Sequence, residues 1–263
     1  MKELKMKKCV SAQTLVNPPR IAEDIDFENL KNLVDKHLEW TLELNKPATQ
    51  VYTKPVKGCS FNMLKILANF EDCHPDTLFD VLFDPDYRKV WDSHMLQSRE
   101  IGIINVNNDV GYYAMNCPPP LKPRDFVLMR SWLDTGPKGE QMLLSRSVLH
   151  KDYPHLRGFI RAHSILTGFL IRKSKNGCFL GYVAHCDPQG ALPSWLVNKV
   201  THTVGPKMVK DLRKAALGYE RWKSSQPHRR KPWRFPEEMM NIPRMLITDC
   251  FEDNQPKISV KEV

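Results

Sequence analysis

Nowhere does this chain of 263 residues approach the roughly 20 consecutive apolar residues that a membrane-spanning helix requires. The stretch CVSAQTLV that follows MKELKMKK is short and broken by Ser11, Gln13 and Thr14, so no secretory signal is expected. Cysteine offers no framework either. Cys9, Cys59, Cys73, Cys117, Cys178, Cys186 and Cys250 are odd in number and scattered, which argues for reduced, mostly buried thiols in the cytoplasm. Motifs of catalysis are missing: no Walker A loop, no Gly-x-Gly-x-x-Gly, no Gly-x-Ser-x-Gly, no His-Glu-x-x-His. The cysteines and nine histidines lack the close pairing of a zinc site, and His185-Cys186 and Cys73-His74 read as core or turn residues. No RRM, KH or zinc-finger pattern accompanies the positive charge, and no internal repeat is found. The expectations are therefore no enzyme, no metal, no cofactor and no nucleic-acid partner.

What is present is an ordinary globular composition, 41% hydrophobic and 26% charged, with a net charge of +9. A core of this size needs no disulfides. The positive balance favours anionic partners, whether nucleic acid, acidic proteins or anionic lipid headgroups, and does not choose among them.

Residues 1–23 read as a basic arm ending at the Pro18-Pro19 break, and Asp26 reads as the N-cap of an amphipathic helix from Phe27 to Trp40. Strand-like runs follow at Gln50–Lys54 and Asn62–Phe70. Pro75 opens a helix with Leu78, Phe79, Leu82 and Phe83 on one stripe, and after Asp84-Pro85 a short helix spans Asp86 to Asp92. From Gln97 to Cys186 the pattern is mostly strand: 97–104, 110–117, 126–133, 140–149, 159–173 and 178–186. Turn chemistry punctuates these runs at Asn107-Asn108-Asp109, Pro118-Pro119-Pro120, Gly136-Pro137 and Asn176-Gly177. Consecutive strands imply an antiparallel sheet rather than alternating βαβ units. Ser194 then caps a long helix to about Trp222, with a kink expected at Gly205-Pro206, because Pro206 has no N–H to offer the carbonyl of His202.

Such a sheet exposes more apolar face than one helix covers. Either side chains or a ligand must fill the remainder, and pattern alone does not choose. Arg88 and Asp92, four apart beside Val90 and Trp91, share a helix face that must partly bury. A buried guanidinium has to be matched; Asp92 can match it while part of the donor fork is left for a phosphate. An ordinary surface pair is the alternative.

DYRKVWD, DVGYYAMNCPPPLKPRDFVLMRSW, GFIRAHSILTGFLI and DPQGALPSWLVNKVT, in that order, resemble the START (StAR-related lipid-transfer) family, and within it the phosphatidylcholine-transfer-protein subgroup. The likeness covers about Asp24 to Lys223. It implies an α+β helix-grip fold, an antiparallel sheet wrapped on a long C-terminal helix around an apolar lipid cavity. It further implies one glycerophospholipid per cavity, phosphatidylcholine and/or phosphatidylethanolamine, carried between membranes. Arg88 would meet the lipid phosphate with Asp92 as partner. Tyr113, Phe126 and Ile165 stand where the subgroup has an aromatic choline cage of a tryptophan and two tyrosines, and Thr167 where it has a glutamine. The weakened cage implies less preference for choline over ethanolamine. Pro118, Pro119 and Pro120 would gate the cavity together with Gly205 and Pro206.

The HRRKPWR run suggests contact with an anionic membrane through Arg229, Arg230, Lys231 and Trp233, although a solvated tail or a nuclear-localisation-like patch reads equally well. The expected organisation is an arm at 1–23, a lipid-binding domain at 24–225 and a flexible tail at 226–263. The whole would be a cytoplasmic monomer, peripheral at membranes. A lipid sensor acting through a protein partner is the alternative to a carrier.

Overall fold

The computed structural model describes residues 19–59, 61–136, 139–190, 200–228 and 230–251. Its elements in chain order are α1 (Asp24–Asp35), β1 (Thr41–Lys46), β2 (Thr49–Lys54), β3 (Met63–Glu71), α2 (Pro75–Phe83), α3 (Pro85–Trp91), β4 (Met95–Asn105), β5 (Asn108–Met115), β6 (Arg124–Asp134), β7 (Glu140–Ser147), β8 (Leu149–His150), β9 (Ile160–Arg161), β10 (His163–Ser174), β11 (Gly177–Asp187), α4 (Gly205–Ser225) and β12 (Cys250–Phe251). The class is α+β. One antiparallel sheet runs in the order β1-β2-β3-β11-β10-β7-β6-β5-β4, with the short β9 pairing in parallel on β6.

The two faces of this sheet are used differently. On the inner face, Val51, Ile66, Phe70, Trp132, Leu143, Ile171 and Leu180 meet Leu78, Phe79, Leu82 and Phe83 of α2 and Val209, Leu212, Ala215, Ala216 and Tyr219 of α4. On the outer face, α1 lays Phe27, Leu30 and Val34 on Met142, Leu144, Leu170 and Val183. The approach of α1 is close enough to require glycine. A Cβ at Gly168 would come within 2.5 Å of Leu30, and one at Gly181 within 2.5 Å of Val34. The C-terminal end of α1 is closed by Lys65, whose ammonium donates to the carbonyls of Leu33 (3.0 Å) and Lys36 (2.9 Å) and lies over the Trp40 ring at 4.4 Å.

Three expectations change. The first helix begins earlier and ends sooner than its apolar pattern suggested. Glu23 is its N-cap, and Asp26 sits three residues inside, accepting the Glu23 N–H at 2.8 Å and pairing with Arg20. Trp40 leaves the helix and packs beside the outer cluster.

The second change concerns Gly205 and Pro206, which lie inside a helical run where its geometry passes from π to α. A π-helical turn, Val200–Val204, precedes them. A proline without an N–H interrupts the i→i−4 ladder, and the α pattern restarts where that missing donor is harmless, in the first turn. The proposed cap Ser194 lies outside the described residues.

The third is the C-terminal segment, which is packed over 230–251 rather than forming a loose tail. Asp80, buried in α2, accepts from Lys231 Nζ (2.7 Å), Trp233 Nε1 (2.8 Å) and Arg234 Nε (2.6 Å). Lys231 and Trp233 are thereby turned inward, and Trp233 lies on Phe83 with ring centroids 5.3 Å apart. Neither is available as a membrane contact. Arg230 is exposed and pairs with Glu238, and Arg229 lies outside the described residues. Further on, Arg244 bridges to Ile103 and β12 pairs with β8, burying Cys250.

Candidate lipid site

The short helix α3 starts sharply because Asp84 caps it and Pro85 opens it. Seven residues later it stops at Asp92, which brings Arg88 and Asp92 to one face. Arg88 Nε donates to Asp92 Oδ2 at 3.3 Å, and Tyr113 Oη from β5 donates to the same oxygen at 2.9 Å. The guanidinium lies over the rings of Tyr113 (5.5 Å) and Trp91 (5.4 Å). The Arg88 side chain is 26% exposed and that of Asp92 10%. Only Nε of the fork is engaged; among the described residues its terminal N–H groups have no hydrogen-bond partner.

Burial pushes the hydroxyls of Tyr113 and Tyr182 up, so both remain neutral donors at physiological pH. The Arg88 charge is felt at Tyr182, which places that ring, stacked on Phe169 at 4.8 Å, in the same neighbourhood. Tyr182 was not singled out by sequence reasoning; its signal was an aromatic at an inner-face position of β11.

A second polar group lies on the inner face. Arg130 grips Asp109 through two bonds, Nε to Oδ1 at 2.7 Å and Nη2 to Oδ2 at 2.5 Å, and rests over the Phe83 ring at 5.2 Å. Glu100 stands nearby, its carboxyl pushed up by burial and by Asp109. These residues too were missed. Asp109 and Arg130 are direct cross-strand partners, a relation that depends on a register no spacing reveals.

Of the residues expected at a lipid site, the structure brings together Arg88, Asp92, Tyr113 and Phe126. Phe126 is the cross-strand partner of Tyr113, their rings 6.4 Å apart. Ile165 sits in the bulge between Ser164 and Leu166 on β10. Thr167 is occupied locally, with its Oγ1 2.9 Å from Ser164 Oγ and 3.7 Å from Cys186 Sγ. Around Tyr113 the guanidinium of Arg88 already lies over the ring, so one cation is present there before any ligand. Pro118, Pro119 and Pro120 occupy the β5–β6 loop. Arg124 ties that loop to the segment after β11, donating to the carbonyls of Lys122 (2.6 Å), Pro188 (3.2 Å) and Gln189 (3.1 Å). Among the described residues no group of three or more His, Cys, Asp or Glu is arranged to hold a metal ion, and no helix is long and apolar enough to cross a membrane.

Comparison with known proteins agrees with this geometry. The START domain family model matches residues 20–223. START domain-containing protein 10 of Mus musculus is 38% identical over 223 residues, 83% of this chain and 75% of that protein. Phosphatidylcholine transfer protein of Homo sapiens is 28% identical over 185 residues, 69% of this chain and 85% of that protein. The crystal structure of human STARD10 superposes with a TM-score of 0.84 at 34% identity, covering 91% of this chain and 97% of that one. By its fold, its ordered motifs and these matches, the chain belongs to the START domain family.

Proposed function

We propose that this chain holds one glycerophospholipid, phosphatidylcholine and/or phosphatidylethanolamine, against the inner face of its sheet and carries it between membranes as a cytoplasmic protein that meets membranes only at their surface. The observation that carries the reading is Arg88. It is partly buried and held by Asp92, which also accepts the Tyr113 hydroxyl, and among the described residues its terminal donors are unspent. A phosphate is the ligand such a fork fits best, since it accepts two parallel N–H bonds from the free terminal nitrogens. The similarity to proteins named as a phosphatidylcholine transfer protein and a START domain-containing protein points the same way. With Tyr113 committed to Arg88, little aromatic surface remains to favour choline, and both headgroups are accommodated.

The physics of the cargo explains why a carrier is useful. At ~0.8 kcal/mol per methylene, two acyl chains of about 15 methylenes each cost on the order of 20 kcal/mol to place in water. Spontaneous desorption is correspondingly slow, and a protein that shelters the tails removes most of that barrier. No covalent step is needed, so the reading includes no catalysis. The β5–β6 loop with Pro118, Pro119 and Pro120, and the start of α4 at Gly205 and Pro206, are the segments we take to move when a lipid enters.

Membrane contact is assigned to the outward stripe of α4. Lys210, Lys214, Leu217 and Arg221 follow one another at helical spacing, all are exposed, and Leu217 is 69% exposed. Among the described residues none of these cations is in an ion pair. Each adds up to ~1 kcal/mol of attraction to an anionic surface. Changing Lys210, Lys214 and Arg221 together to Glu is expected to slow lipid transfer from anionic liposomes at least tenfold, while leaving transfer between neutral liposomes within twofold. Equal rates from anionic liposomes would remove this surface from the reading.

The decisive test of the cargo is lipidomics of the purified protein by native mass spectrometry. The wild type is expected to carry both phosphatidylcholine and phosphatidylethanolamine at one lipid per chain. Arg88→Ala is expected to lose at least nine-tenths of its phospholipid while staying folded. Normal phospholipid loading of that variant would sink the phosphate grip.

A further inference from the structure

The helix that carries Arg88 has seven residues, too few to be stable in water by itself. Its place is therefore set by what it is fastened to. Among the described residues one side-chain hydrogen bond fastens it to the sheet, from Tyr113 Oη to Asp92, and one joins it to α2, from Trp91 Nε1 to the Val81 carbonyl.

The stronger fastenings lead to α4. Asp84 is 2% exposed and fully used. Its Oδ1 accepts the N–H groups of Asp86 (3.0 Å) and Tyr87 (3.1 Å), and its Oδ2 accepts Tyr219 Oη (3.0 Å) and Lys223 Nζ (2.8 Å). Tyr87 Oη donates to the Ala215 carbonyl at 2.8 Å, and its ring packs on Tyr219 (5.1 Å) and Trp222 (4.7 Å). At the other end of α3, Lys207 Nζ reaches Ser93 Oγ at 3.2 Å. Charge-assisted bonds in a buried setting are the strong ones, and two of the Asp84 bonds cross from one helix to the other.

We propose that Asp84, Tyr219 and Lys223 are the positioning residues of the anion grip: they latch α3 to α4, so that Arg88 stands where the C-terminal helix puts it and not where the sheet does. None of the three touches the ligand; each acts through Arg88. The proposal rests on reading Arg88 as the phosphate ligand. It has a mechanical corollary. A displacement of α4 away from the sheet takes Arg88 and Asp92 along and breaks the Tyr113–Asp92 bond. Uncovering the tails and letting go of the headgroup then become one movement.

Two measurements on the full chain test the latch. The first is amide hydrogen exchange without added lipid, on the wild type, on Tyr219→Phe and on Tyr219→Phe with Lys223→Met. In the wild type, amides of residues 86–92 and those of 207–223 are expected to exchange with the same protection. In the double variant the amides of 86–92 should exchange at least tenfold faster, with 207–223 unchanged. Unchanged protection of 86–92, or a uniform loss across both helices and the sheet, overturns the latch. The milder Tyr219→Phe, which removes one bond and leaves the ring, gives a smaller change of the same kind and guards against a double variant that fails to fold.

The second is competition between phosphatidylcholine and diacylglycerol with identical tails. The phospholipid preference should fall at least fivefold in the double variant, and should not fall further when those changes are added to Arg88→Ala. A lower Tm with an unchanged preference overturns the positioning role. If Arg88→Ala itself leaves the preference intact, the phosphate reading of Arg88 fails, and the exchange measurement still decides the latch.

Discussion

The two faces of one sheet treat their buried cations differently: one is saturated by the protein, the other keeps donors in reserve. On the outer face α1 approaches so closely that Gly168 and Gly181 have no room for a methyl group, and the buried Lys65 is saturated by backbone carbonyls and an aromatic ring. On the inner face Arg88 keeps its terminal donors unused among the described residues, although Asp92 holds its Nε. Both faces are packed with apolar side chains, as interiors are. The difference lies in the cations: the outer one is closed off by the fold, and the inner one keeps donors for a ligand.

Substitutions that exchange these roles test the contrast. The largest effect on stability is expected from Gly168→Val, which drives two methyl groups into Leu30. Unfolding free energy in urea should fall by about 1–3 kcal/mol, with the lipid profile of the folded fraction unchanged. A changed profile would mean that the outer face also shapes the lipid site. A smaller effect, on selectivity, is expected from the double variant Phe126→Tyr with Ile165→Tyr. It enlarges the aromatic surface beside Tyr113, and the recovered ratio of phosphatidylcholine to phosphatidylethanolamine should rise several-fold, within the ~2 kcal/mol available to a desolvated cation–π contact. No change in ratio would show that these positions do not meet the headgroup.

The smallest effect expected is one of pH. Burial holds the His185 imidazole below its ordinary value of 6.5. The folded protein therefore keeps it neutral at a pH where the unfolded chain takes up a proton. This contribution to stability is complete above pH 6.5 and declines as pH falls below it. His185→Gln should flatten the slope of stability between pH 6.5 and 5. An identical slope would assign the acid sensitivity to other groups.

Most of the strands were legible in the sequence, because a sheet with one face buried writes its period of two into the chain, as in Leu64, Ile66, Ala68 and Phe70. Arg88 and Asp92 were legible because a helix brings residues four apart together, and the family resemblance gave them a role. What was hidden depends on distance along the chain. Asp109 and Arg130 meet only through the register across a long loop. The basic run at 228–234 looked like a surface for anions because its partner, Asp80, lies some 150 residues earlier, and charge counting sees the cations without the carboxylate that absorbs them. The strand β1 was missed because its residues are largely exposed and so carry no alternation. The π-helical turn before α4 likewise has no composition of its own.

Asp80 also changes where this protein can be cut. As a unit of ancestry the domain stops at residue 223, the limit of the family match. As a physical object it does not, because Lys231, Trp233 and Arg234 are the three donors that make a carboxylate tolerable inside α2. An expression fragment trimmed to the family boundary would keep the charge and discard its counterions. A fusion joined at residue 226 would force the same separation, and one that keeps the chain through Arg234 would not.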